Sequence, residues 1–120
     1  MARTAVSYSN LVPNGSLSDP SGTALTAGAG NGGQIAKAAP ELTVLRVVCG
    51  GTGGNFTLLK GAYPPAIAAG QGDYVEALSA SATEWLGPFE SGRFLQNDGS
   101  LIFETSQSMT VTAFKVPRNT

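Results

Sequence analysis

The run Leu42-Thr43-Val44-Leu45-Arg46-Val47-Val48-Cys49 is followed at once by Gly50-Gly51-Thr52-Gly53-Gly54. β-Branched and apolar side chains in such density predict a central strand buried on both faces, and the glycine cluster ends it. The rest of the chain repeats that pattern on a smaller scale. Asn55-Phe56-Thr57-Leu58-Leu59-Lys60 resumes after the glycines as an expected hairpin partner, and Tyr63-Pro64-Pro65-Ala66 enforces an extended connector. Residues 73–78 fit a strand better than a helix. Thr83-Glu84-Trp85-Leu86 is stopped by Gly87-Pro88. Residues 92–96 and 100–104 are expected to pair across the turn Asn97-Asp98-Gly99. Residues 109–116 alternate with period two, which turns Met109, Val111 and Ala113 inward, and are expected at a sheet edge. About eight short strands between turn signals predict an all-β fold, an antiparallel β-sandwich of which a jelly roll is one form.

At 120 residues the chain is one domain's length. Residues 10–33 are rich in Gly, Ser, Ala, Asn and Pro, with a short strand at 4–9 before them. Residues 1–33 therefore read as an extended N-terminal arm and residues 34–120 as the β-sandwich domain. An arm of this composition gains order by lying on its own domain or on a neighbouring subunit.

Composition narrows function mainly by exclusion. There is no histidine, which removes Ser-His-Asp and Cys-His nucleophile systems and histidine metal ligands. Cys49 is the one cysteine, so no intrachain disulfide and no thiolate zinc cluster can form. Seven basic and eight acidic side chains give a net charge of −1, with no basic patch for nucleic acid or anionic lipid. Only 12% of residues are charged, where soluble domains average about 25%. A surface so neutral suits a subunit of an assembly. The N-terminal residues lack the apolar run of a signal peptide, and synthesis in the cytoplasm is expected.

The candidate chemistry is thin. Gly50 to Gly54 lacks the Gly-Lys-Ser or Gly-Lys-Thr ending of a phosphate-binding loop, and the tract from Gly28 to Gly33 lacks a dinucleotide fingerprint and reads as a flexible stretch. Asn97-Asp98-Gly99-Ser100 reads as a turn and not as a calcium loop. Asp73 with Glu76, and Glu84 with Glu90, are the carboxylate pairs that could serve glycosidase chemistry, although solvated charge beside a turn is the plainer reading. Cys49 is expected to be a small buried hydrophobe. Trp85, Phe89, Arg93 and Phe94 form the densest aromatic and cationic cluster. They are expected in the core, with an exposed carbohydrate platform or partner hot spot as the other possibility. No enzyme activity, cofactor or metal is expected.

Several segments together resemble a family of small head decoration (capsid accessory) proteins of tailed phages infecting actinobacteria. They are Met1-Ala2-Arg3-Thr4, Asn10-Leu11-Val12-Pro13-Asn14, Asp19-Pro20-Ser21-Gly22-Thr23, Leu45-Arg46-Val47, Pro64-Pro65-Ala66, Gly70-Gln71-Gly72-Asp73, and the stretch Trp85-Leu86-Gly87-Pro88-Phe89-Glu90-Ser91-Gly92-Arg93-Phe94 with Gln96 and Asp98-Gly99-Ser100. The resemblance implies a β-sandwich structural protein on the capsid exterior, working as a symmetric oligomer. The partner expected is the major capsid protein, with a homo-oligomer, a trimer by preference, neither nucleic acid nor membrane as a partner, and the virion as its location. Arg3 and Tyr8 in the arm, and Tyr63, Pro64 and Pro65 in the connector, are the expected contact residues. The alternative expectation is a tail or baseplate-associated β-sandwich that binds host glycans through Trp85 or the tyrosines.

Overall fold

In the computed structural model, which describes residues 3–11, 14–61, 72–89 and 91–116, ten strands form two sheets. They are β1 (Thr4–Ala5), β2 (Tyr8–Asn10), β3 (Thr23–Leu25), β4 (Gly33–Ile35), β5 (Thr43–Cys49), β6 (Gly54–Leu58), β7 (Tyr74–Leu78), β8 (Thr83–Leu86), β9 (Leu101–Thr105) and β10 (Met109–Lys115). A 3-10 turn at Pro40–Leu42 precedes β5, and a single-turn helix, α1 (Ser91–Phe94), lies between β8 and β9.

One sheet has the order β1-β4-β9-β6-β7; in the other β2-β10-β5-β8 are neighbours and β3 also pairs with β10. Set aside β1 and β2, and β3-β10-β5-β8 faces β4-β9-β6-β7 with every pairing antiparallel. That order is a jelly roll, the double-sheet arrangement of two Greek keys. The expected β-sandwich is therefore present, and its topology is explicit.

Alternation sets the core. Thr43, Leu45, Val47 and Cys49 of β5 are buried, while Val44, Arg46 and Val48 are half-buried on the outer face. The apolar outer residues made β5 look buried on both sides, but only its odd positions enter the core. From the facing sheet come Phe56, Leu58, Leu78, Leu101 and Phe103. Phe56 and Phe103 stack with ring centroids 5.4 Å apart. Each such fully buried side chain stabilises the fold by about 1.5–3 kcal/mol. Cys49 is buried, and its thiol donates to the Thr52 carbonyl at 3.3 Å.

Three pairings differ from the expected ones. β5 and β6 do not form a hairpin: the glycine loop carries the chain from one sheet to the other, because both flanks of β5 are occupied by β10 and β8. Residues 92–96 are not a strand. Residues 92–94 belong to α1, since both flanks of β9 are taken by β4 and β6, and Phe94 packs edge-on against Phe89 at 5.8 Å in the core. The Asn97-Asp98-Gly99 turn does exist, with Gly99 at φ +85°, but it joins a helix to a strand. β10 is not at an edge; it is central.

The reason lies in the N-terminal segment. The described residues of the arm expected over 1–33 lie on the domain itself. The single strand expected at 4–9 is two, in different sheets, with Val6 buried between them. β1 runs parallel to β4, and β2 runs parallel to β10 through Ala113↔Tyr8 to Lys115↔Asn10. β3 lies antiparallel along the same flank of β10 at Met109↔Leu25 to Val111↔Thr23. The glycine tract works through close approach and not through flexibility. Gly32 has φ +85°, and a Cβ on Gly33 would stand 2.6 Å from the Phe103 ring.

Leu25, buried in this segment, and Leu17, 40% exposed, give a direct contrast. Leu25→Ala is expected to cost about 2–5 kcal/mol in urea unfolding, and Leu17→Ala no more than about 0.5 kcal/mol. Equal effects would mean that the segment does not contribute to the core.

Candidate interaction surfaces

Of the expected contact residues, Tyr63, Pro64 and Pro65 lie outside the described residues. Arg3 and Tyr8 use their polar atoms within the chain. The Arg3 guanidinium pairs with Glu104 at 2.9 Å and donates to the Asn31 carbonyl at 2.5 Å, and Gly30 N–H donates to the same Glu104 carboxylate at 2.9 Å. This network ties the loop before β4 to β9. Thr43 Oγ1 donates to the Ala39 carbonyl at 2.7 Å, so the Tyr8 phenol, 2.6 Å away, donates to Thr43 and accepts from Ala39 N–H at 2.9 Å. Lys115 Nζ stands 5.8 Å from the centre of the Tyr8 ring.

Beyond Tyr8 the parallel ladder continues, with Leu11 N–H donating to the Lys115 carbonyl at 3.1 Å. One step past the Asn10–Lys115 pair, this sets Leu11 alongside Val116. Their exposures are 36% and 38%, so two neighbouring aliphatic side chains stand in solvent at one end of the sandwich.

The aromatic cluster divides. Phe89 and Phe94 are buried, and Arg93 turns its guanidinium over Phe94 at 4.8 Å while donating to the Gly72 and Asp73 carbonyls at 3.4 and 3.3 Å. With Tyr74, Gly87 and Pro88 these three residues line a cleft of about 300 Å³. Trp85 is elsewhere: 60% exposed, on the outer face of β8, which corrects the expectation that it sits in the core. Strand alternation is the reason, and it was readable in the sequence, because Leu86 points in and its neighbour must point out. Trp85 stacks on Phe114 at 5.5 Å, with Arg46 opposite it in register.

The carboxylates also regroup. Asp73 accepts from Lys60 N–H at 2.7 Å, and Glu90 lies outside the described residues. Glu76 instead meets Glu84. Both stand at inward-facing register positions on edge strands of opposite sheets, opposite Phe56 and Val47 respectively. A hydrogen bond with Glu76, then partial desolvation and the Glu76 charge, raise the Glu84 carboxyl above its ordinary value. The Tyr74 phenol donates to Glu76 at 2.8 Å, and that bond, burial and the two carboxylates raise its pKa too. Carboxyl groups in hydrogen-bond contact stand closer than the about 5–5.5 Å of a retaining glycosidase, so this pair does not frame a scissile bond. Charges pointing inward on free edges hinder strand addition. Asp98, which accepts from Ser100 Oγ and N–H, is held below its ordinary value by those bonds and fixes the turn before β9.

Among the described residues no three His, Cys, Asp or Glu side chains gather as a metal-binding set, and no helix is long and apolar enough to cross a membrane. Comparison with protein-family models, with curated proteins and with solved structures gave no match.

The raised Glu84 carboxyl fixes the sign of a pH effect. The folded chain holds this proton more tightly than the unfolded chain. The contribution is therefore fully present below the ordinary value of 4.5 and is lost as pH rises through the raised value. Compared with wild type, Glu84→Gln is expected to lose this component of the slope in urea-unfolding free energy between pH about 4 and about 7. Identical slopes would show that the pair is not formed.

Proposed function

We propose that the chain is a structural virion protein that decorates and stabilises the outer surface of a phage capsid. It acts as a homo-oligomer, a trimer by preference, through non-covalent contacts with the major capsid protein. A jelly roll serves viral capsid domains and lectins alike, so the fold alone does not choose the role. The observation that carries this reading is the Leu11–Val116 pair, aliphatic surface left in solvent at one end of the sandwich. It lies in a chain with few charges to oppose close packing.

The flattened body, 38 × 38 × 23 Å, has the proportions of a tile. Arg3 and Tyr8 use their polar groups within the chain, and Leu11 and Val116 offer a partner aliphatic contact. Weak contacts repeated over a shell would then add through avidity and resist pressure from packaged DNA.

Quantitative mass spectrometry of purified virions is expected to find hundreds of copies in fixed ratio to the major capsid protein. A handful of copies would move the protein to the tail or a vertex, and absence would end the proposal. Leu11→Ser with Val116→Ser is expected to lower capsid occupancy at least about tenfold while changing unfolding free energy by no more than about 0.5 kcal/mol per site. Undiminished occupancy would remove this end as the contact.

A further inference from the structure

On the outer face of the β3-β10-β5-β8 sheet, the fold leaves one large aromatic ring open. Trp85 lies over the buried Phe114 with ring planes 25° apart, so one indole face is covered by protein and the other meets solvent. The guanidinium carbon of Arg46 is 5.8 Å from the centres of both rings. Arg46 is itself held: one amino group is paired with the Asp19 carboxylate, and the other donates to the Pro20 carbonyl at 2.7 Å and to Thr112 Oγ1 at 3.1 Å. The Asp19 side chain is 79% exposed, so a solvated carboxylate is linked to the ring through Arg46. On the other side, Thr83 is exposed on the same face of β8, two residues from Trp85.

We propose that this surface is a carbohydrate-binding site that takes a neutral hexopyranose unit of an oligosaccharide. The C–H face of the sugar lies on Trp85, and its hydroxyls donate to Asp19 and exchange hydrogen bonds with Thr83. Three properties select that ligand. Arg46 and Asp19 cancel in charge, so an ion gains little here, whereas a neutral polyol gains from an acceptor-rich rim. The Trp85 side chain offers about 150–250 Å² in all, and its open indole face matches one sugar ring. The indole is also fixed from below by Phe114 and the Arg46 network, so little side-chain freedom is lost on binding. Val116 follows Phe114 by two residues on the same outer face, so this site borders the Leu11–Val116 end, but the carbohydrate reading does not depend on the decoration reading.

Trp85 is the one tryptophan of the chain, so intrinsic tryptophan emission reports this surface alone. The full chain would be titrated with cellohexaose, maltohexaose and chitohexaose, with an oligogalacturonate as an anionic comparison. A saturable change in emission with at least one neutral oligosaccharide is expected at concentrations up to about 10 mM. By calorimetry, binding is expected to weaken at least about tenfold in Trp85→Ala and several-fold in Asp19→Asn, with Trp85→Tyr retaining most of it. Thermal unfolding of each variant separates lost binding from lost fold, and Asp19, an exposed side chain, supplies a variant that leaves the core untouched. The proposal is overturned by unchanged emission with all neutral probes, by equal binding in folded Trp85→Ala, by binding of the anionic probe alone, or by quenching with capsid shells when no sugar quenches.

Discussion

Strand β10 has backbone to satisfy on two flanks, and the way the chain meets that demand organises the molecule. β5 pairs with all seven residues of one flank, Met109↔Cys49 through Lys115↔Thr43. The other flank is shared end to end by two three-residue strands of opposite direction, β3 against Met109 to Val111 and β2 against Ala113 to Lys115. Short strands of this kind are weak alone. They hold because Leu25 and Val6 enter the core and because the Tyr8 phenol is bonded to Thr43 and Ala39. A segment whose composition suggests a loose arm thus becomes the lateral wall of both sheets.

Much of the fold was legible because its strands are short and their alternation is clean. β5 and β10 turn their odd-numbered residues inward, and the inward set Met109, Val111 and Ala113 could be read directly, whereas β7 and β8 turn Val75 and Trp85 outward and Glu76 and Glu84 inward. What the pattern lacks is partner choice. The glycine loop after Cys49 looks the same whether it turns a hairpin or crosses between layers, and the difference is set by which flanks of β5 are already filled. Residues 92–96 have strand-forming side chains, yet no free flank awaits them, and Phe94 gains more by entering the core from a helical turn.

The surfaces were less legible for a related reason. The carboxylates were paired by nearness in sequence, but Glu76 and Glu84 come together because β7 and β8 are edges of facing sheets on the same side of the sandwich. Trp85 and Arg46 meet through a register that no sequence separation reveals, whereas the outward direction of Trp85 followed from Leu86 alone. The sequence order does not reveal that Arg3 and Tyr8 bond to Glu104, Asn31, Thr43 and Ala39 of the same chain. In a molecule with so few charges, several of the charged groups hold loops to strands, and the open ground is left to aliphatic and aromatic side chains.

The central place of β10 also bears on when the sheet can form during synthesis. β2, β3 and β5 all pair with residues 109–115, so they emerge from the ribosome long before the strand that joins them. At about 5–20 residues per second, roughly sixty residues separate the end of β5 from β10, a delay of several seconds with unpaired edges. Non-local pairing of this order is slow to close. Few sequences could keep such a nascent chain from sticking to its neighbours through charge, and this one has little to spend. β5, apolar and with Arg46 its one charge, is the edge most open to association in that interval, whereas residues 10–33, rich in glycine, serine and alanine, add few large apolar side chains to it.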